Sequence, residues 1–94
     1  MSDAQAQIFA AARRDRKIAG HLARDMFKQA TTAPQFKPGL GAEMRKAAAL
    51  PEDAAEVLAD LFAAHGVASD AKALRDLADV CRLHRLTWAD IDGN

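Results

Sequence analysis

The residues able to do chemistry are few, and their spacing limits them. Cys81 and His84 stand at i and i+3, so on a helix both reach toward one point. A tetrahedral zinc site needs four ligands, and no second Cys or paired His accompanies them; His21 and His65 are isolated. The pair reads as a buried thiol beside a rim imidazole, with no metal and no cofactor expected. Glu52/Glu56 and Asp76/Asp79 can share helical faces. Carboxylate catalysis, however, needs a cleft and a shifted pKa that spacing alone does not supply. Asp60 and His65 lack a nucleophile with a base and an orienting group. There is no P-loop and no glycine-rich dinucleotide fingerprint. No catalytic residue is assigned, and the chain is not read as an enzyme.

The cations carry more information. Arg13, Lys17, His21, Arg24 and Lys28 recur at spacings of 4, 4, 3 and 4, with Arg14 and Arg16 beside them. On a helix they form one basic ridge. Such a ridge has three uses. It can be solvated or paired within the chain, it can meet an acidic protein surface, or it can contact phosphates, which dominate sequence-independent nucleic-acid affinity. The ridge belongs to a wider asymmetry that a formal net charge of zero hides. Residues 1–46 carry nine Lys/Arg against four Asp/Glu, a net of +5, and residues 47–94 reverse the numbers to −5. Each half projects its own field over a Debye length, roughly 8–10 Å.

The elements that must position these residues all read as helical. The expected fold is all-α: one small bundle of four to five helices over residues 1–94, led by a long N-terminal helix. That basic helix covers about residues 3–30, with Ser2 and Gln5 in capping-box spacing. Ile8, Ala11, Ala12, Ile18, Ala19, Leu22 and Met26 recur as one apolar stripe, widened by Phe9, Ala23, Phe27 and Ala30. Gly20 inside it marks a bend or a close helix contact. Residues 31–41, with Pro34, Pro38, Gly39 and Gly41, form the hinge, and Phe36 and Leu40 are expected to tuck back onto the core.

The acidic helical part is 42–94. A short helix fits 42–50. Pro51 suits the first position of a helix running to His65, with Gly66 just beyond its end. Ser69 is an N-cap candidate for a helix over 70–84. Leu58, Leu61, Phe62, Leu74, Leu77 and Cys81 should then be buried together between two antiparallel helices. Thr87 and Asp90 repeat a capping pattern, and Trp88 and Ile91 can close a final turn. An indole there seeks an acceptor for its N–H. The pair of helices also invites a helix-turn-helix reading. Its second helix would expose Asp70, Asp76 and Asp79 against Lys72, Arg75 and Arg82, a poor phosphate-facing surface.

No run approaches the ~18 apolar residues of a membrane span. The opening MSDAQAQIF lacks the basic and apolar regions of a signal peptide, and Asp15 and Asp25 argue against a transit peptide. A lone Cys excludes an internal disulfide. The expected location is cytoplasmic, with no membrane partner. The Ala-, Arg- and Asp-rich usage fits a GC-rich bacterial or phage genome.

A helix of about 28 residues spans ~42 Å, whereas partner helices of about 14–15 residues offer only ~20–24 Å. Part of its stripe should stay uncovered, near Ile8 and Phe9 or near Met26 and Phe27. The expected function is therefore protein–protein interaction, as a small adaptor, inhibitor or regulator. The partner is another protein or a second copy of the chain. The binding set is the basic face Arg13, Arg14, Lys17, His21, Arg24 and Lys28 with the apolar Ile8, Phe9, Met26 and Phe27. The alternative is a nucleic-acid-associated accessory protein that holds phosphates with the same helix.

Overall fold

A computed structural model describes residues 3–93. The chain is helical, without a strand among the described residues, in six elements: α1 (Asp3–Arg14), α2 (Arg16–Thr31), α3 (Leu40–Ala47), α4 (Pro51–Ala64), α5 (Ala68–His84) and α6 (Trp88–Asp92). The expectation of four to five helices is thus corrected to six, and the difference lies mainly at the N-terminus. The long helix is two helices, broken at Asp15. This residue takes an extended conformation (φ −135°, ψ 115°), and its Oδ1 accepts from the backbone N–H groups of Lys17 (2.9 Å) and Ile18 (3.3 Å). It thereby satisfies two of the donors that a new helix N-terminus leaves open. Ser2, expected to cap the start of the long helix, lies outside the described residues.

The break has a packing reason. An unbroken helix over 3–30 would span ~42 Å, longer than the 33 Å largest extent of the molecule. With the turn at Asp15, both arms reach the rest of the bundle. Phe9, Ala12, Ala19, Ala23, Phe27 and Ala30 are all buried. A strap on α5 holds the corner. His84 Nε2 lies 2.7 Å from the Ala12 carbonyl, one of the last of α1. A carbonyl only accepts, so this nitrogen carries the proton. Arg16 Nε donates in return to the His84 carbonyl (3.3 Å).

The antiparallel hairpin of α4 and α5 is the core's second half. Pro51 occupies the first turn of α4 and holds Leu50 in extended backbone (ψ 142°), while α3 ends at Ala47 rather than at residue 50 because Ala48 already turns extended (φ −124°, ψ 116°). Gly66 (φ 78°) turns the chain in the left-handed region, and Val67 N–H donates back to the Phe62 carbonyl (2.9 Å). α5 then begins at Ala68, so Ser69 sits within its first turn instead of capping it. Leu58, Phe62, Leu74, Leu77 and Cys81 are buried together as expected, with Leu61 partly exposed beside them. In the hinge, Phe36 meets the ring of Phe62 edge-on at 5.2 Å.

α6 closes the bundle. The Thr87–Asp90 capping box forms in both directions: Asp90 N–H donates to Thr87 Oγ1 (3.3 Å) and Thr87 N–H to Asp90 Oδ2 (2.7 Å). Trp88 Nε1 donates to the Ala48 carbonyl (2.8 Å), and its ring packs against Phe27 at 5.1 Å. Gly20 lies under α6, where a Cβ would meet the Asp90 carbonyl at an ordinary 3.6 Å. Gly20 therefore marks a helix contact, and the bend belongs to Asp15.

Candidate interaction surface

Three arginines of the basic half are spent inside the molecule on its acidic C-terminal turn. Arg16 grips Asp90 with two hydrogen bonds (3.2 and 2.9 Å), a forked geometry that suits a carboxylate. Arg45 pairs with Asp92 at 2.8 Å and lies 4.5 Å over the Trp88 ring. Arg24, a member of the expected binding set, donates from Nε to the Ile91 carbonyl (3.0 Å). Gly93 (φ 86°) ends α6 directly above it, and a Cβ at that position would collide with the Arg24 guanidinium. Arg16, together with the N–H and hydroxyl of Thr87, holds the Asp90 carboxyl down at about 2.

The rest of the acidic half neutralises itself. Arg75 bridges Glu56 (3.3 Å) and Asp60 (2.9 Å), Arg82 meets Asp79 (3.0 Å) and Glu52 (3.8 Å), and Lys72 reaches Asp76 (3.4 Å). The hydrogen bond that Arg75 donates to Asp60 leads the effects that raise the Arg75 pKa. Among the described residues of 47–94, only Asp53 and Asp70 are acids outside an ion pair.

The expected basic face is therefore unevenly used. Arg13, Arg14, Lys17, His21 and Lys28 are exposed and have no ion pair among the described residues; Arg13 only leans toward the Phe9 ring, 6.0 Å from its centroid. The Asp15 corner separates Arg13 and Arg14 from Lys17, His21, Arg24 and Lys28, which share a face of α2. Lys28 borders a small pocket of about 300 Å³ with Arg24, Arg45 and Trp88.

The expected apolar set divides too. Phe9 (3% exposed) and Phe27 (4%) are core residues, which corrects the expectation of an uncovered stripe around them: the Asp15 turn folds both arms onto the bundle. Ile8 stays 47% exposed, and Met26 is partly buried. Ile8, Phe9 and Met26 nevertheless line one groove of about 500 Å³ between α1, α2, α5 and the 33–35 segment. Leu22, Phe62 and Leu74 extend its apolar floor, and Asp25 and Asp70 are its two charged lining residues. Ile8, Phe9, Leu22 and Met26 were signalled by the apolar stripe, but the groove as a unit was not, since Asp70 reaches it only through the tertiary fold.

Cys81 is fully buried and its thiol is pushed up to about 12, chiefly by burial and then by Glu52. No group of three or more His, Cys, Asp or Glu residues is placed to hold a metal ion among the described residues. No helix there is long and apolar enough to cross a membrane. No protein-family model, curated protein or solved structure matches this chain.

Proposed function

We propose that this chain is a non-enzymatic interaction protein, a small adaptor, inhibitor or regulator that binds another protein through the surface built by α1 and α2. Within this proposal it acts in the cytoplasm and carries no cofactor. One observation supports it above the others. Among the described residues, Arg13, Arg14, Lys17 and Lys28 stand outside every ion pair on α1 and α2, the two helices that also line an apolar groove, while nearly every acid of residues 47–94 is already matched. A cleft of this size lies within the range that buries a ligand or an anchoring side chain. Charges around such a site steer encounter and set orientation more than they add raw affinity.

The unmatched cations also support the second reading, a nucleic-acid accessory protein. The two part on salt. Binding through four or five phosphates gives a log–log slope of about −4 to −5 for random duplex DNA. The interaction protein gives no measurable duplex binding at ~0.15 M salt. In the native host, the tagged protein should co-purify a partner that a variant with Arg13, Arg14 and Lys17 changed to Glu fails to retain. Equal retention by both forms would place the contact elsewhere.

A further inference from the structure

We infer that the small pocket between α2, α3 and α6 is an anion site that takes a phosphate monoester carried on a short aromatic or apolar body. This goes beyond the interaction role. Its test changes none of the residues altered to check that role, so either can fail alone. The pocket, of about 300 Å³, is built by three elements. Arg24, Phe27 and Lys28 stand at i, i+3 and i+4 of α2 and so share one face. Met44 and Arg45 of α3 and Trp88 of α6 close on that face. Phe27 and Met44 are buried and Trp88 is half-buried, its ring 5.1 Å from that of Phe27. Together they give the pocket an apolar floor.

Charge selects the occupant. Every charged residue lining this pocket is a cation, whereas the larger α1–α2 groove carries Asp25 and Asp70 instead. Arg45 is matched by Asp92 at 2.8 Å. Arg24 and Lys28 stand outside every ion pair among the described residues, which leaves two positive charges at the pocket. Two of the three cations are fixed before any ligand arrives. Arg45 grips Asp92 while lying 4.5 Å over the Trp88 ring. Arg24 donates from Nε to the Ile91 carbonyl (3.0 Å), which leaves the terminal nitrogens of its guanidinium, a group whose geometry suits phosphate oxygens. Side chains already held in place lose less freedom on binding. A phosphate monoester carries about −1.5 to −2 at pH 7 and balances both unmatched cations; a carboxylate balances one. The organic body of the ester then covers the apolar floor.

Trp88 is the chain's single Trp, and there is no Tyr, so intrinsic fluorescence reports on this pocket alone. Titrating the full chain with phenyl phosphate should change that emission in a saturable way. Inorganic phosphate and phenol each offer one half of the ligand and should bind at least about tenfold more weakly. Lys28→Ala should weaken phenyl phosphate binding by about tenfold or more with unchanged far-ultraviolet circular dichroism. Lys72→Ala removes one positive charge from α5, outside the pocket, and should bind like wild type. No saturable response to phenyl phosphate, equal binding of phenol or inorganic phosphate, or a Lys28→Ala variant that binds like wild type would overturn the inference. Equal losses in Lys28→Ala and Lys72→Ala would overturn it too, because they mark a general charge effect. The ester can be a free small molecule or a phosphorylated side chain of a protein. A short phosphotyrosine peptide that binds more tightly than phenyl phosphate assigns the protein-borne source; one that binds no more tightly assigns the free one.

Discussion

Replacing Asp15 by Ala asks whether the N-terminal region is two helices or one, and the two architectures predict opposite signs. In the broken form Asp15 is an N-cap whose Oδ1 accepts from Lys17 and Ile18 N–H groups at 2.9 and 3.3 Å. Losing a cap of this kind costs about 0.5–2 kcal/mol, typically near 1. In an unbroken helix the same residue would be interior, where Asp is a poorer helix former, and Ala would gain up to roughly 0.7 kcal/mol. For a domain of this size, 1 kcal/mol corresponds to about 4–8 °C in Tm. Thermal and urea unfolding followed by circular dichroism should therefore show Asp15→Ala melting lower by several degrees with an unchanged urea m-value. Asp15→Asn should retain most of the stability, since Asn caps about as well as Asp. An Ala variant that melts above wild type, or an Asn variant as unstable as Ala, would refute the capped corner.

Three further outcomes follow from burial and charge. Leu77 is fully buried, so Leu77→Ala should cost ~2–5 kcal/mol, whereas Leu83→Ser, at a position 60% exposed, should change stability by less than about 0.5 kcal/mol; urea midpoints measure both. Asp90 is held at about 2 instead of its ordinary 3.8 by Arg16 and Thr87, so its pairing stabilises the fold above about pH 4 and is lost as pH falls toward 2. The stability gap between wild type and Asp90→Asn should accordingly shrink across that interval in pH-dependent melts. The Cys81 thiol, raised to about 12, should resist thiol reagents at pH 8 in the native protein and react at once in denaturant; rapid native labelling would contradict its burial.

Much of the fold was legible because it is written locally. Helical periodicity, Pro51, Gly66 and the Thr87–Asp90 box each act within a turn or two, and each sits where local physics puts it. The break at Asp15 was not legible from periodicity. The apolar stripe runs at helical spacing on both sides of it, and one extended residue leaves that pattern almost unchanged. Its signal was residue type: an acid that can cap, preceded by Arg13 and Arg14, which suit the C-terminal end of a helix. The basic residues of the candidate surface were visible as a ridge. Which of them remain unmatched depends on pairings across more than 45 positions, such as Arg16 with Asp90 and Arg45 with Asp92. Asp25 and Asp70 come to one groove from α2 and α5, a juxtaposition that no sequence window contains.

In the proposed role, contact with a partner runs through the α1–α2 surface. Site-specific photo-crosslinking in the native host addresses it most directly. Photoreactive side chains in place of Lys17 and Gln29 sample the corner and the groove edge, and one in place of Asp60 samples the ion-paired α4 face as a control. Adducts should form from positions 17 and 29 and not from position 60; adducts from position 60 without any from 17 or 29 would place the contact on another face.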